Sequence, residues 1–344
     1  MANERLFWIR IIQVHEESLE ESWKKVVDKT PYQIVKEFAV SVQQFFRTMH
    51  GREGKCTPLY IAAGVGNSKL CKHIAIHIED EKSEDDLWSD LHSAIMFDNK
   101  YESFKLIFEN VANKNPKDDW GETPLHHAVE KGFFEICNLI ITNVTDINPK
   151  DHQGKTPLHL AAERGYVELC KLIINNIDEK NPGDIEGETP FHKAAEFGHV
   201  EICQLFINNM VNKNPWDDYE STPLHSAAGS GHLEVCQLII ENLVHKNPGN
   251  DNEVTPLHKA AFRGHLEVYK LLMSNAHDKN PEDINGWTSL HYASIMGNFD
   301  LCKFILEYID EKNPMNNGGD TPRAMAKDNG YLNIVDLIDY HLNI

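Results

Sequence analysis

One phrase recurs along this chain. Thr-Pro-Leu-His begins at Thr123, Thr156, Thr222 and Thr255. Close variants begin at Thr57 (Thr-Pro-Leu-Tyr), Thr189 (Thr-Pro-Phe-His), Thr288 (Thr-Ser-Leu-His) and Thr321 (Thr-Pro-Arg-Ala), and a degraded copy, Ser-Asp-Leu-His, begins at Ser89. The six consecutive spacings from Thr123 to Thr321 are all 33 residues, and the two before them are 32 and 34. A period this short constrains the fold severely. A single unit of that length cannot bury its own apolar face, so the units must stack, each touching only its neighbours.

The interior of the unit keeps the same phase. Five residues after each Thr or Ser stands an alanine, from Ala62 to Ala326, in all nine copies. Nine residues after it stands a glycine in eight copies, Asp98 being the exception. Thr is a good N-cap, and Pro at the first helical position gives up a donor that had no partner. The small Ala allows close packing of a first helix, and Gly ends it in a left-handed turn. A second, apolar helix follows, as in Glu168 to Ile174. Asn-Pro pairs at 33-residue intervals from Asn115-Pro116 to Asn313-Pro314 then stop it. Segments such as Asn181 to Gly187 read as turns.

These phased positions closely resemble the ankyrin repeat family over roughly residues 51–344. The resemblance implies an all-α solenoid of about nine repeats, each a helix-turn-helix with a β-hairpin finger. Thr321-Pro322-Arg323-Ala324 loses the Leu and His, as a C-terminal cap would.

Residues 1–50 form a separate N-terminal helical extension. Leu6 to Ile12 is a short apolar run, Trp23, Val26 and Val27 suggest a second helix, and Ile34, Val35, Phe38, Val42, Phe45 and Phe46 follow an amphipathic spacing. One reading is a cap on the first repeat. The other is a docking module, because the segment is similar to the latter part of an F-box, the adaptor-binding module of some ubiquitin ligases, although it lacks the Leu-Pro opening.

Charge narrows the partners. The chain carries 33 Lys and Arg against 53 Asp and Glu, a formal net charge of -20. The first fifty residues are balanced, so the excess lies in the repeats. Such a surface repels phosphate backbones and anionic lipids and favours basic protein segments. No run of 18 uncharged apolar residues occurs, and the start lacks the layout of a signal peptide. Seven cysteines, an odd number, fit a reducing compartment, so a cytoplasmic or nuclear monomer is expected.

The chain offers no visible catalytic, cofactor or metal candidate. Cys137, Cys170, Cys203 and Cys236 recur at 33 residues, and helix packing distances are too long for disulfides between such columns. They are expected to be small buried residues. The histidines at 126, 159, 192, 225, 258 and 291 form a second column, which the resemblance assigns to hydrogen bonds tying the first helix to adjoining loops. Cys71, His73 and His77 share a predicted helix but lack a fourth zinc ligand. No phosphate-binding or dinucleotide loop is present, and Asp283 to Gly286 resembles a calcium loop for four residues only.

Ankyrin repeats usually bind proteins through finger tips and first helices, so large side chains at positions that vary between copies are the candidate anchors. They are Trp120, Trp216, Tyr219 and Trp287 in fingers, and Phe197, Phe262, Tyr292 and Met296 on or just after first helices. Asp118, Asp119, Glu122, Asp217, Asp218, Glu220 and Asp251 surround them with negative charge. The expectation is a non-enzymatic scaffold or adaptor that captures a Lys- or Arg-rich protein segment along the repeats starting at Thr189, Thr222, Thr255 and Thr288. The alternatives are a substrate receptor of a ubiquitin ligase docked through residues 1–50, and a regulatory subunit of an enzyme such as a phosphatase.

Overall fold

The computed structural model describes Leu91, Ile95 and residues 101–343, apart from 112, 244 and 245. The extension at 1–50 with its boundary, the F-box similarity, the repeat at Thr57 and the Cys71, His73 and His77 group lie outside the described residues. Two compact units divide the chain, one ending at His152 and the other beginning at Gln153.

Fifteen helices and no strand occur among the described residues, and one isolated antiparallel bridge joins Glu282 to Thr288. In the first unit, Tyr101–Asn110 takes the second-helix place of the degraded copy, followed by the pair Pro124–Glu130 and Phe134–Ile141. The second unit holds six pairs, from Pro157–Arg164 with Val167–Asn176 to Pro322–Asp328 with Leu332–Leu342. First helices stack on first helices there, and second helices on second helices.

The repeated phrase builds the helix starts. In the repeat at Thr156, His159 Nδ1 accepts the Thr156 backbone N–H at 3.0 Å and the Thr156 hydroxyl at the same distance. This is a capping box with His in the place usually held by Glu or Gln, and it recurs at Thr123, Thr189, Thr222, Thr255 and Thr288. The Asn of the Asn-Pro pair adds a second cap: Asn181 Oδ1 accepts the Phe191 N–H at 3.1 Å, and Asn313 Oδ1 that of Arg323 at 3.0 Å.

The core is the stacked apolar faces. Leu158, Ala161, Ile173, Ala194, Ile202, Leu224 and Leu257 are inaccessible to solvent. Cys137, Cys170, Cys203 and Cys236 are buried free thiols, as is Cys302. Burial pushes the thiols of Cys170, Cys203, Cys236 and Cys302 up to about 12. Tyr269 interrupts this column and is also fully buried. Burial raises its phenol to about 12.

Candidate protein-binding face

Each finger is closed by one carboxylate or amide. Asp217 Oδ1 accepts the N–H groups of Tyr219 and Ser221 at 2.9 and 2.7 Å, and Asp283 Oδ1 those of Asn285 and Trp287 at 2.8 and 2.9 Å. Asn250 and Asn316 do the same in their fingers. The turn then passes through a left-handed residue. This is Gly121, Gly154, Gly187, Gly286 or Gly319 in five fingers, but Glu220 at φ 58° and Glu253 at φ 55° in two others. Neighbouring fingers touch through one backbone bond each, such as Asp218 N–H to Glu186 O at 2.9 Å. The fingers are therefore stacked turns rather than extended hairpins.

Asp118 and Asp217 were expected on an acidic rim. Their carboxylates instead close their own fingers, because an Asx side chain two residues before the tip is the acceptor best placed for those N–H groups. Asp119, Asp218, Glu220 and Asp251 are exposed, and Glu186 and Glu253 join them.

In the second unit the histidine column ties the first helices from Pro157–Arg164 to Ser289–Ile295 to the next finger. Nε2 of His159 donates to Glu188 O at 3.0 Å, that of His192 to Ser221 O at 3.0 Å, and that of His225 to Val254 O at 2.9 Å. His258 and His291 reach Pro281 O and Asp320 O. A backbone N–H can only donate to Nδ1 and a carbonyl can only accept from Nε2, so these imidazoles are the neutral Nε2–H tautomer. Burial lowers their pKa values, with the carbonyl bond opposing it, leaving His159 at about 4 and His225 at about 3.

A second column was missed by sequence reasoning. His199 Nε2 donates backward to Glu163 O at 2.9 Å, His232 to Glu196 O at 2.8 Å and His265 to Gly229 O at 3.2 Å. Asn298 Nδ2 reaches Ala261 O at 2.9 Å in the same role. The signal was present, because these residues directly follow the periodic glycines. Those glycines must stay small: a Cβ on Gly198 would meet the His232 ring at 2.5 Å, and φ there is +77°.

The candidate anchors divide into two groups. Trp216 and Tyr219 stand out from their finger, 62% and 57% exposed. Trp120, Phe197 and Met296 are exposed too, the Phe197 ring lying parallel to that of His199. Phe262, Trp287 and Tyr292 are instead drawn together and half-buried. Trp287 and Tyr292 have centroids 5.2 Å apart, and Phe262 meets Tyr292 edge-on at 6.2 Å. Tyr292 also contacts the His258 ring, and its hydroxyl donates to Asp283 Oδ2. Burial and the Asp283 carboxylate both raise its phenol pKa. Asp283, the calcium-like residue, thus spends both oxygens on the finger and on Tyr292.

No helix among the described residues is long and apolar enough to cross a membrane. No curated protein matches the chain. The family profile described as ankyrin repeats (3 copies) matches residues 91–184, 170–250, 239–316 and 257–344. Ankyrin repeats are generally protein-interaction modules and typically non-enzymatic. Because those matches together run from residue 91 to residue 344, over the helix pairs described above, the chain belongs to the ankyrin-repeat family.

Proposed function

We propose that this protein is a non-enzymatic scaffold or adaptor that captures a Lys- or Arg-rich segment of a protein partner across the fingers and first helices of the repeats beginning at Thr189, Thr222, Thr255 and Thr288. It acts as a monomer in a reducing compartment, the cytoplasm or nucleus, which suits its buried free thiols. The observation that carries the reading is the finger tip at 216–220. Trp216 and Tyr219 expose their rings beside the exposed Asp218, Glu220 and Asp251. Exposed aromatics ringed by charge are the composition of a binding hot spot. Glu220 and Glu253 hold the left-handed turn that glycine would hold without strain. Acidic side chains are kept at these tips against a conformational cost, which supports a role for their charge.

A pull-down with the full chain and with its Trp216→Ala/Tyr219→Ala variant, read by mass spectrometry at low and high salt, tests this. Partners with basic segments should be captured by the parent, released by salt, and lost with the variant. Equal capture by both proteins would move recognition off this finger.

A further inference from the structure

The finger that leads into the helix Pro124–Glu130 holds an arrangement the other described fingers lack. The Asp118 side chain is only 2% exposed. Its Oδ1 accepts the Trp120 and Glu122 N–H groups at 2.9 and 2.7 Å. Its Oδ2 is buried and accepts no hydrogen bond. The corresponding oxygen of Asp283 receives the Tyr292 hydroxyl at 2.7 Å. In the present finger, the residue in Tyr292's register position is His127, whose Nε2 lies 3.4 Å from Asp118 Oδ2 and 3.5 Å from Glu122 Oε2. One ligand atom from each of the three side chains lies within 4.8 Å of the others.

A buried carboxylate oxygen with no donor, beside a second carboxylate, is costly unless something positive sits between them. Zinc binds imidazole nitrogen and carboxylate oxygen at about 2.0–2.2 Å, and tetrahedral geometry then separates two such atoms by about 3.4 Å. The two nitrogen-to-oxygen separations match that edge. An imidazole in the set disfavours calcium and magnesium, which take oxygen ligands. We propose that Asp118, Glu122 and His127 form a site for one divalent transition-metal ion of the zinc class, with the fourth position left to water. The ion would clamp the finger to the start of its own first helix.

Two substitutions have precedents in the chain itself. Asp118→Asn keeps the finger closed, as Asn250 and Asn316 do in theirs. His127→Leu installs the residue that Leu160 supplies at the same place one repeat later. The full chain and both full-length variants are stripped with a chelator, dialysed against Zn²⁺ and analysed for bound metal, with circular dichroism to verify folding. The parent should hold one equivalent more than either variant, and that equivalent should bind at least tenfold more weakly in each. Loading with Co²⁺ should give tetrahedral d–d absorption that both variants lose. Equal uptake by all three proteins, or full affinity retained by either folded variant, overturns the site. If His127→Leu does not fold, Asp118→Asn alone decides.

Discussion

The Tyr292 hydroxyl donates to Asp283 Oδ2 across 2.7 Å, so one side chain of a first helix bolts down the finger that precedes it. Hydrogen bonds to charged acceptors contribute about 1.5–3 kcal/mol. Tyr292→Phe keeps the ring against Phe262 and Trp287 but removes the bolt. Its urea midpoint should fall by an amount corresponding to about 1–2 kcal/mol. An unchanged midpoint would show that this bond contributes nothing.

Trp287 and Trp216 should behave oppositely on truncation. Trp287 packs on Tyr292 and His291, so Trp287→Ala should cost about 2–4 kcal/mol and lower the thermal midpoint visibly. Trp216→Ala removes an exposed ring and should leave the midpoint within a degree or two while weakening capture. A large fall in midpoint for Trp216→Ala would make that ring structural.

Acid should loosen the array through the histidine column. The folded imidazoles titrate below the ordinary 6.5, His159 at about 4 and His225 at about 3. Between those values and 6.5 the unfolded chain binds protons that the folded chain refuses, so stability rises with pH and is complete above about 6.5. At pH 5 each such residue should have lost on the order of 2 kcal/mol. Urea unfolding at pH 7.5 and pH 5.0 measures this, and coincident curves would refute it.

Glu220→Gly and Glu253→Gly should each stabilise the protein, by up to about 1 kcal/mol, by relieving a left-handed backbone. Glu220→Gly should at the same time weaken binding of a basic partner. Thermal melts and salt-dependent binding read the two effects separately.

Cys170→Ser should destabilise by about 1–3 kcal/mol, since it puts a hydroxyl into a place inaccessible to solvent. Differential scanning calorimetry is the direct measurement. No change would mean that the hydroxyl finds a partner there.

Much of this architecture is written openly in the chain. The Thr-Pro-Leu-His phrase or one of its variants announces every described first helix from Thr123 onward, because capping and a small alanine, with proline in all but one copy, act locally. The cysteine column was readable as buried from its phase alone. The residue four places after each Thr was not readable in this way. From Thr123 to Thr288 that place holds His127, Leu160, Lys193, Ser226, Lys259 and Tyr292 in turn. What each touches depends on its length. Tyr292 reaches Asp283, Lys193 turns to Glu188 and Glu196, and His127 falls between two carboxylates. Periodicity identifies what the copies share. The individual contacts at the finger bases come from what differs, and they appear only when two segments close on each other in space.

The two imidazole columns also give the second unit a direction. An interior repeat such as that at Thr189 is sewn forward by His192 and backward by His199. The repeat at Thr321 has Ala324 in the forward place, so its first helix carries no imidazole there to reach forward. Under tension, the repeat at Thr321, which lacks the forward stitch, should peel away at a lower force than the repeats at Thr189, Thr222 and Thr255, with length released in steps of one unit.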